Sequence, residues 1–298
     1  MITPSNFIRS IEPIMRDKYG LVYDRWEPEY TGWYEVVTSN KKYEEHASGA
    51  GFGLVPEKAV GASVSYSDPK EGFLGRITQT VYGLGFVVAY EMYLWQQDNR
   101  LNLMPKALAE SVAQTIETLA VLPLDRAFNS SYLGADGKEM CATDHPRESD
   151  GSSYANEPAT ASDLSEESIE QMLIDLATFT DPAGLKMKAK IKKLVIPQNL
   201  YRTAFELFGT EKRPWSAENT KNFAAGLMEW EISHYMSSTK AWFTMLEGSN
   251  GLVNYVTRKP DFTKDNDFST ENALFKTVFT MAFGHRDPRR IYGSPGVS

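Results

Sequence analysis

The chain has 298 residues and one cysteine, Cys141, so no intrachain disulfide can form and a disulfide-held secreted scaffold is excluded. No apolar run approaches the roughly 20 residues that a membrane helix needs. The first residues, Met1-Ile2-Thr3-Pro4-Ser5-Asn6-Phe7, lack the basic start and long apolar stretch of a signal peptide, and the sequence reads as reduced, cytosolic and soluble. Basic residues are in the minority: 31 Lys and Arg stand against 39 Asp and Glu, a formal net charge of -8. That field repels nucleic acid unless a local patch overrides it. Histidine is scarce as well. The four, His46, His145, His234 and His285, show no metal-ligand spacing between them.

What is present is globular. Hydrophobic residues make up 42% and charged residues 23%, which excludes a mainly disordered, collagen-like or coiled-coil chain. The length allows two domains, or one large domain with appendages. Aromatic residues reach 12%, and large amphipathic rings suit surfaces where protein meets protein.

Residues 1 to about 45 mix Pro13 and Pro28 with Tyr19, Tyr23, Trp26, Tyr30, Trp33 and Tyr34. The absence of a sustained period predicts an extended strap, packed on its own domain or reaching a neighbouring chain. The small residues Ala47 to Gly53 follow as a hinge. Val60, Ala62, Val64 and Tyr66 then alternate with Gly61, Ser63, Ser65 and Ser67, which predicts a strand. Turn chemistry over 68–72 and a return over 73–82 complete an expected long hairpin. A two-stranded ribbon is marginal alone in water, so this one needs another surface.

Gly83 to Ala89 leads back into a core. Pro105 suits a first helical position, and Leu108, Val112, Ile116 and Leu119 form the stripe of an amphipathic helix reaching to about Phe128, bent near Pro123. The Gly, Ser, Asp and Asn-rich stretch 134–161 predicts a surface loop and a domain change. Asp163 and Glu166 have capping-box spacing ahead of a helix carrying Ile169, Met172, Leu173 and Leu176. Further strands are expected over 190–196, 229–235, 241–246, 252–257 and 272–283, a helix after Pro197, and a final turn at 292–296. Strands and helices in no regular alternation indicate an α+β chain.

Enzyme chemistry finds little support. Gly49-Ala50-Gly51-Phe52-Gly53 lacks both a following helix and a Walker lysine, and Gly248-Ser249-Asn250-Gly251 misses the nucleophile-elbow spacing. Cys141, Asp144 and His145 could share one ion, but such a trio in a polar loop is more simply a polar loop. The Lys186 to Lys193 run is more simply a solvated face than a nucleic-acid site. No catalytic, cofactor or metal residue is assigned.

The order of parts carries more than any motif. Tyr82-Gly83-Leu84-Gly85-Phe86, Asp98, the helix through Ala107 to Leu124, Leu194-Val195-Ile196-Pro197-Gln198, Ala241-Trp242-Phe243, and Ala282-Phe283-Gly284 with Asp287 resemble the major capsid proteins of tailed phages, with the Hong Kong 97 type fold. The likeness is nearest the branch of the transposable-phage major head subunit. It spans the chain in short pieces.

The resemblance implies an N-terminal arm (1–46), an extended loop with its return strand (47–98), a spine helix of a peripheral domain (99–133), an axial domain (134–245) and return strands completing the peripheral domain (246–298). It implies a subunit of hexamers and pentamers that close an icosahedral head, in the virion after assembly in the host cytoplasm. Its partners would be further copies through arm and loop, a portal, a scaffold and decoration proteins. It would enclose double-stranded DNA without reading its sequence and would bind no membrane. Because the strap starts at Met1, the expected scaffold is a separate protein. Lysine–asparagine cross-linking, present in some members, has Lys58 and Lys70 as candidates and no assignable asparagine. Two alternatives stay open: a cargo-enclosing nanocompartment shell of the same fold, and an α+β enzyme with a loop site at Cys141, Asp144 and His145.

Overall fold

The computed structural model describes residues 4–48, 51–68, 72–95, 98–148, 151–212, 220–248, 250–267 and 269–297. In chain order the first elements are α1 (Pro4–Tyr23), β1 (Glu35–Thr38), β2 (Tyr43–Ala47), β3 (Leu74–Thr78), β4 (Thr80–Val88), α2 (Tyr90–Leu94) and α3 (Asp98–Asp125). Then come β5 (His145–Pro146), β6 (Ser153–Tyr154), α4 (Glu166–Thr178), β7 (Ile191–Pro197), α5 (Tyr201–Phe208), β8 (Glu229–Ser233) and β9 (Trp242–Leu246). The chain ends with β10 (Leu252–Asp267), β11 (Asn272–His285) and β12 (Ile291–Ser294).

The N-terminal segment is not an extended strap. Over α1, Ile11, Met15 and Tyr19 recur every four residues and are all buried, which makes one apolar face on a helix packed along α3. Tyr19 stacks on Phe262 of β10 with ring centroids 4.8 Å apart. Pro13 lies inside this helix, and the burial on either side offsets its missing hydrogen bond. Beyond α1, Tyr30 and Tyr34 meet Phe283 edge-on at 5.2 Å, and the Tyr34 hydroxyl donates to the Ala120 carbonyl of α3.

The long helix α3 has 28 residues, about 42 Å at 1.5 Å per residue. Leu108, Val112 and Ile116 are buried as their spacing predicts, and Leu119 is half-buried. The helix begins at Asp98, so Pro105 stands inside it rather than at its first position; buried Leu101 anchors the preceding turn in the core. The helix ends at Asp125, short of Phe128.

One four-stranded sheet has the order β1-β10-β11-β4. β1 runs parallel to β10, and the other pairs are antiparallel. Ala273, Phe275, Thr277, Phe279 and Met281 alternate along the buried face of β11 and cover α1 and α3. β10 continues ten residues past the expected end at Thr257, since pairing with β11 holds the polar run 258–267 in the ladder.

A second sheet has the order β12-β9-β7-β8. Phe243 and Met245 of β9 face the cluster of α1 and α3, while Trp242 and Leu246 face a second cluster with α4 and α5. Every residue of β9 is therefore buried. Tyr292 lies in β12, paired with β9, so the expected terminal turn is a strand, and it joins the second sheet rather than the first. The cap of α4 is Ser165 with Ser168, not Asp163 with Glu166. The stretch 134–161 is no mere surface loop. It holds β5, β6 and the buried Met140, Cys141, Ala142, His145 and Asn156.

The expected hairpin is rearranged. The partner of β3 is β2, in the register Tyr43↔Thr78 to Ala47↔Leu74. Residues 51–68 form no strand and are exposed throughout. The expected hinge residues Gly49 and Ala50, and most of the turn at 68–72, lie outside the described residues.

Candidate assembly interface

Between the two strands of the β2–β3 hairpin the chain leaves the body. Val55, Val60 and Tyr66 are 93%, 106% and 94% exposed, and Phe52, Leu54 and Val64 are exposed as well. Apolar side chains in water carry a cost of about 25 cal/mol per Å², which a partner surface removes.

The root of this loop is fixed. Ser48 and Phe73 exchange hydrogen bonds, the Ser48 N–H to the Phe73 carbonyl and the Phe73 N–H to Ser48 Oγ, each 3.0 Å. Arg76 donates to Glu45 and its guanidinium lies 4.2 Å over the Tyr43 ring. The Thr257 hydroxyl of β10 lies 2.6 Å from both the Ser39 carbonyl and Gln79 Oε1. Gly284 of β11 packs directly under the hairpin, because a Cβ there would stand 2.8 Å from Ile77 Cδ1 and would push that side chain aside. An exposed loop thus projects from an anchored base.

Beneath the base is a cavity of about 380 Å³ lined by both hairpin strands, residues 133–136 and residues 284–289. It brings His46 and His285 together with Asp136, whose Oδ2 lies 2.5 Å from His145 Nδ1. Three of the four histidines, 99 and 140 residues apart in sequence, therefore meet in one junction. Burial, with His46 and His145 beside it, pushes the His285 imidazole down to about 4 despite Asp136. Burial raises the Asp136 carboxyl, and the His145 hydrogen bond and charge outweigh that and hold it below its ordinary value. Next to the cavity, Arg289 pairs with Glu148 at 2.6 Å with both side chains buried.

Asn156 ties the junction to the second sheet. Its amide donates to the carbonyls of Met140, Pro288 and Ile291. Its Oδ1 accepts from the Ala142 N–H and faces His145 Nε2.

The trio Cys141, Asp144 and His145 does not assemble. Cys141 is buried and its thiol is pushed up by desolvation, Asp144 turns outward to Lys138, and His145 is engaged by Asp136 and Asn156. Among the described residues no group of three or more His, Cys, Asp or Glu could hold a metal. In the basic run, Lys190 and Lys193 pair with Glu247 and Glu231. Lys58 lies in the exposed loop, and Lys70 lies outside the described residues.

A group that sequence reasoning missed is Glu117 of α3. Its side chain is buried, and its Oε1 accepts from the Glu29 N–H at 2.7 Å. Burial pushes its carboxyl up to about 7. Glu29 in turn accepts from the His234 N–H and lies 2.6 Å from His234 Nδ1. Only the placement of Glu117 within the Leu108 to Leu119 stripe signalled burial.

Comparison with known proteins adds three findings. A family model described as phage capsid protein matches residues 75–294. The fold is similar to that of the bacteriophage PhiM1 mature capsid (TM-score 0.56, 10% identity, 90% of this chain and 86% of that one). It is also similar to a virus-like particle from Pyrococcus furiosus (TM-score 0.52, 8% identity, 94% and 97%) and to the procapsid of bacteriophage JBD30 (TM-score 0.50, 15% identity, 98% and 76%). No curated protein matches the chain.

Proposed function

Because the chain belongs to the phage capsid protein family and is a structural major capsid protein, we propose that its copies close into hexamers and pentamers of an icosahedral head by seating the exposed loop of one subunit on the next. The observation that carries this reading is the anchored hairpin whose loop, residues 51–68, holds apolar side chains out in water. A head-to-tail contact of this kind makes rings when its rotation closes. α1 is committed to its own core and supplies little to that contact.

The packing supports a division of labour. The first sheet with α1 and α3 is the peripheral part, and the second sheet with α4 and α5 is the axial part that meets its copies at the capsomer centre. The shell lies in the virion and is assembled in the host cytoplasm. With its net charge of -8, it encloses double-stranded DNA without sequence-specific contacts, and portal, scaffold and decoration proteins complete it. A cargo-enclosing compartment is the second reading, favoured by the likeness to a virus-like particle. Nucleic acid in purified particles separates the two.

The test replaces residues 51–68 with a short Gly-Ser connection. This spares β3 and β4, which belong to the ordered body. The parent should sediment as megadalton shells, and the variant should keep the parent's unfolding midpoint and form none. Shells from the variant, or loss of its fold, would refute the assignment.

A further inference from the structure

β4 is an unusual edge. Among the described residues it has a neighbour on one side, β11, through the register Thr80↔Met281 to Val88↔Ala273. Half of the backbone N–H and C=O groups of such a strand point away from the sheet. The other edges of the two four-stranded sheets are blunted by brevity or charge: β1 has four residues and begins with Glu35, β12 has four, and β8 carries Glu229 and Glu231. β4 has nine residues, TVYGLGFVV, with neither charge nor proline. Val81 and Leu84 are 66% and 55% exposed, and Gly83 and Gly85 are exposed beside them.

The same chain holds a segment that lacks what this edge offers. Residues Ala62 to Ser67 alternate apolar and serine side chains, carry no charge, and follow Gly61, whose φ of 82° turns the chain just before them. Their length suits a strand. In their own subunit they lie in solvent, away from β4.

We propose that residues 62–67 of one copy add as a strand to the free edge of β4 in a second copy, extending its four-stranded sheet across the subunit boundary. This rests on the capsid reading above and names the surface that the loop occupies. Backbone hydrogen bonds hold the added strand and its alternate side chains set the register. Gly83 and Gly85 leave the edge bare, so Tyr66 of the incoming strand can lie over them, as aromatic rings do over edge glycines. Neither strand carries a charge to desolvate.

Strand addition has a signature that side-chain docking lacks. An added strand turns every second N–H toward β4 and the rest to solvent, and proline is tolerated at the solvent-facing positions. Single prolines at Ala62, Ser63, Val64, Ser65 and Tyr66 in the full chain should therefore alternate between loss of shells and near-parental yield by sedimentation. Equal behaviour of all five, tolerated or lost, overturns the proposal. A second measurement places Val81→Cys, on the same face of β4 as Gly83 and Gly85, with a cysteine at residue 62, 64 or 66 in assembled shells. Oxidation should give ladders of linked subunits for at least one pair, with Cys141 buried and silent; no ladder from any pair overturns the proposal. A parent that forms no shells overturns the capsid reading together with it. Parental shells without alternation or ladders overturn strand addition alone.

Discussion

Acidification should loosen the root of the projecting loop, and His285 sets the window. The ordinary imidazole value of 6.5 falls to about 4 in the folded chain because burial disfavours the charged ring. The groups facing it are Asp136, which opposes the shift, and His46 and His145, which add to it. The unfolded chain takes up its proton near pH 6.5 while the folded chain resists until about pH 4. The part of the stability that depends on His285 is therefore whole above pH 6.5 and drains as the pH falls toward 4. At 1.36 kcal/mol per pH unit the loss is at most about 3 kcal/mol, a large part of an ordinary domain's 5–15 kcal/mol. His46, also lowered by burial and by Arg286, acts in the same direction. Asp136 begins to matter only below its ordinary 3.8. The assay is urea unfolding of the disassembled subunit between pH 7.5 and 4, comparing the parent with His285→Gln, which cannot take up that proton. Glu117 and the other carboxyls cancel in the comparison. The variant should lose up to about 3 kcal/mol less than the parent over this range, and the difference should vanish above pH 7. Parallel curves would refute the reasoning.

Glu117 should show the opposite slope. Its carboxyl is raised from 4.5 to about 7, so stability present below pH 4.5 is lost as the pH climbs through 7, and denaturant titration of Glu117→Gln should lack that loss. Arg289→Met leaves the Glu148 carboxylate buried without its partner and should cost about 3–5 kcal/mol; adding Glu148→Gln should recover part of it in the same unfolding assay. Ile116→Asp places an unpaired charge at a site only 1% exposed and should give insoluble or unfolded protein. Soluble Ile116→Asp shells by electron microscopy would show that this face of α3 is open.

Where a single local rule decides an element, the sequence shows it. Leu108, Val112 and Ile116 mark α3 because core burial and helical period coincide there. Trp242 to Leu246 reads as a strand because both faces of β9 are buried, so an unbroken apolar run has only that use. α1 escaped notice because its three buried residues, Ile11, Met15 and Tyr19, are diluted by Pro13 and by a following run of aromatics that belongs to a separate packing site on α3. β10 beyond Thr257 escaped because Arg258-Lys259-Pro260-Asp261 has every local mark of a loop. Its strand state comes from β11, which pairs with it across the turn and outweighs local preference.

The functional surfaces were legible in kind and illegible in place. The alternation over 60–66 announces a strand, and a strand needs a partner. The nearest downstream run seemed to supply one, but in the subunit that run pairs with β2, whose Tyr43, Glu44, Glu45, His46 and Ala47 have no apolar alternation to advertise it. What remains is a strand pattern exposed in its own fold, which is the state expected of a sequence selected for pairing in an assembly rather than in a monomer. The histidine junction is hidden for a different reason. His46, His145 and His285 each stand alone in sequence, and only the return of β11 beneath the β2–β3 hairpin brings them together. A motif search weighs neighbours along the chain, whereas burial and contact are set by neighbours in space, so a joint built from three distant elements leaves no local trace.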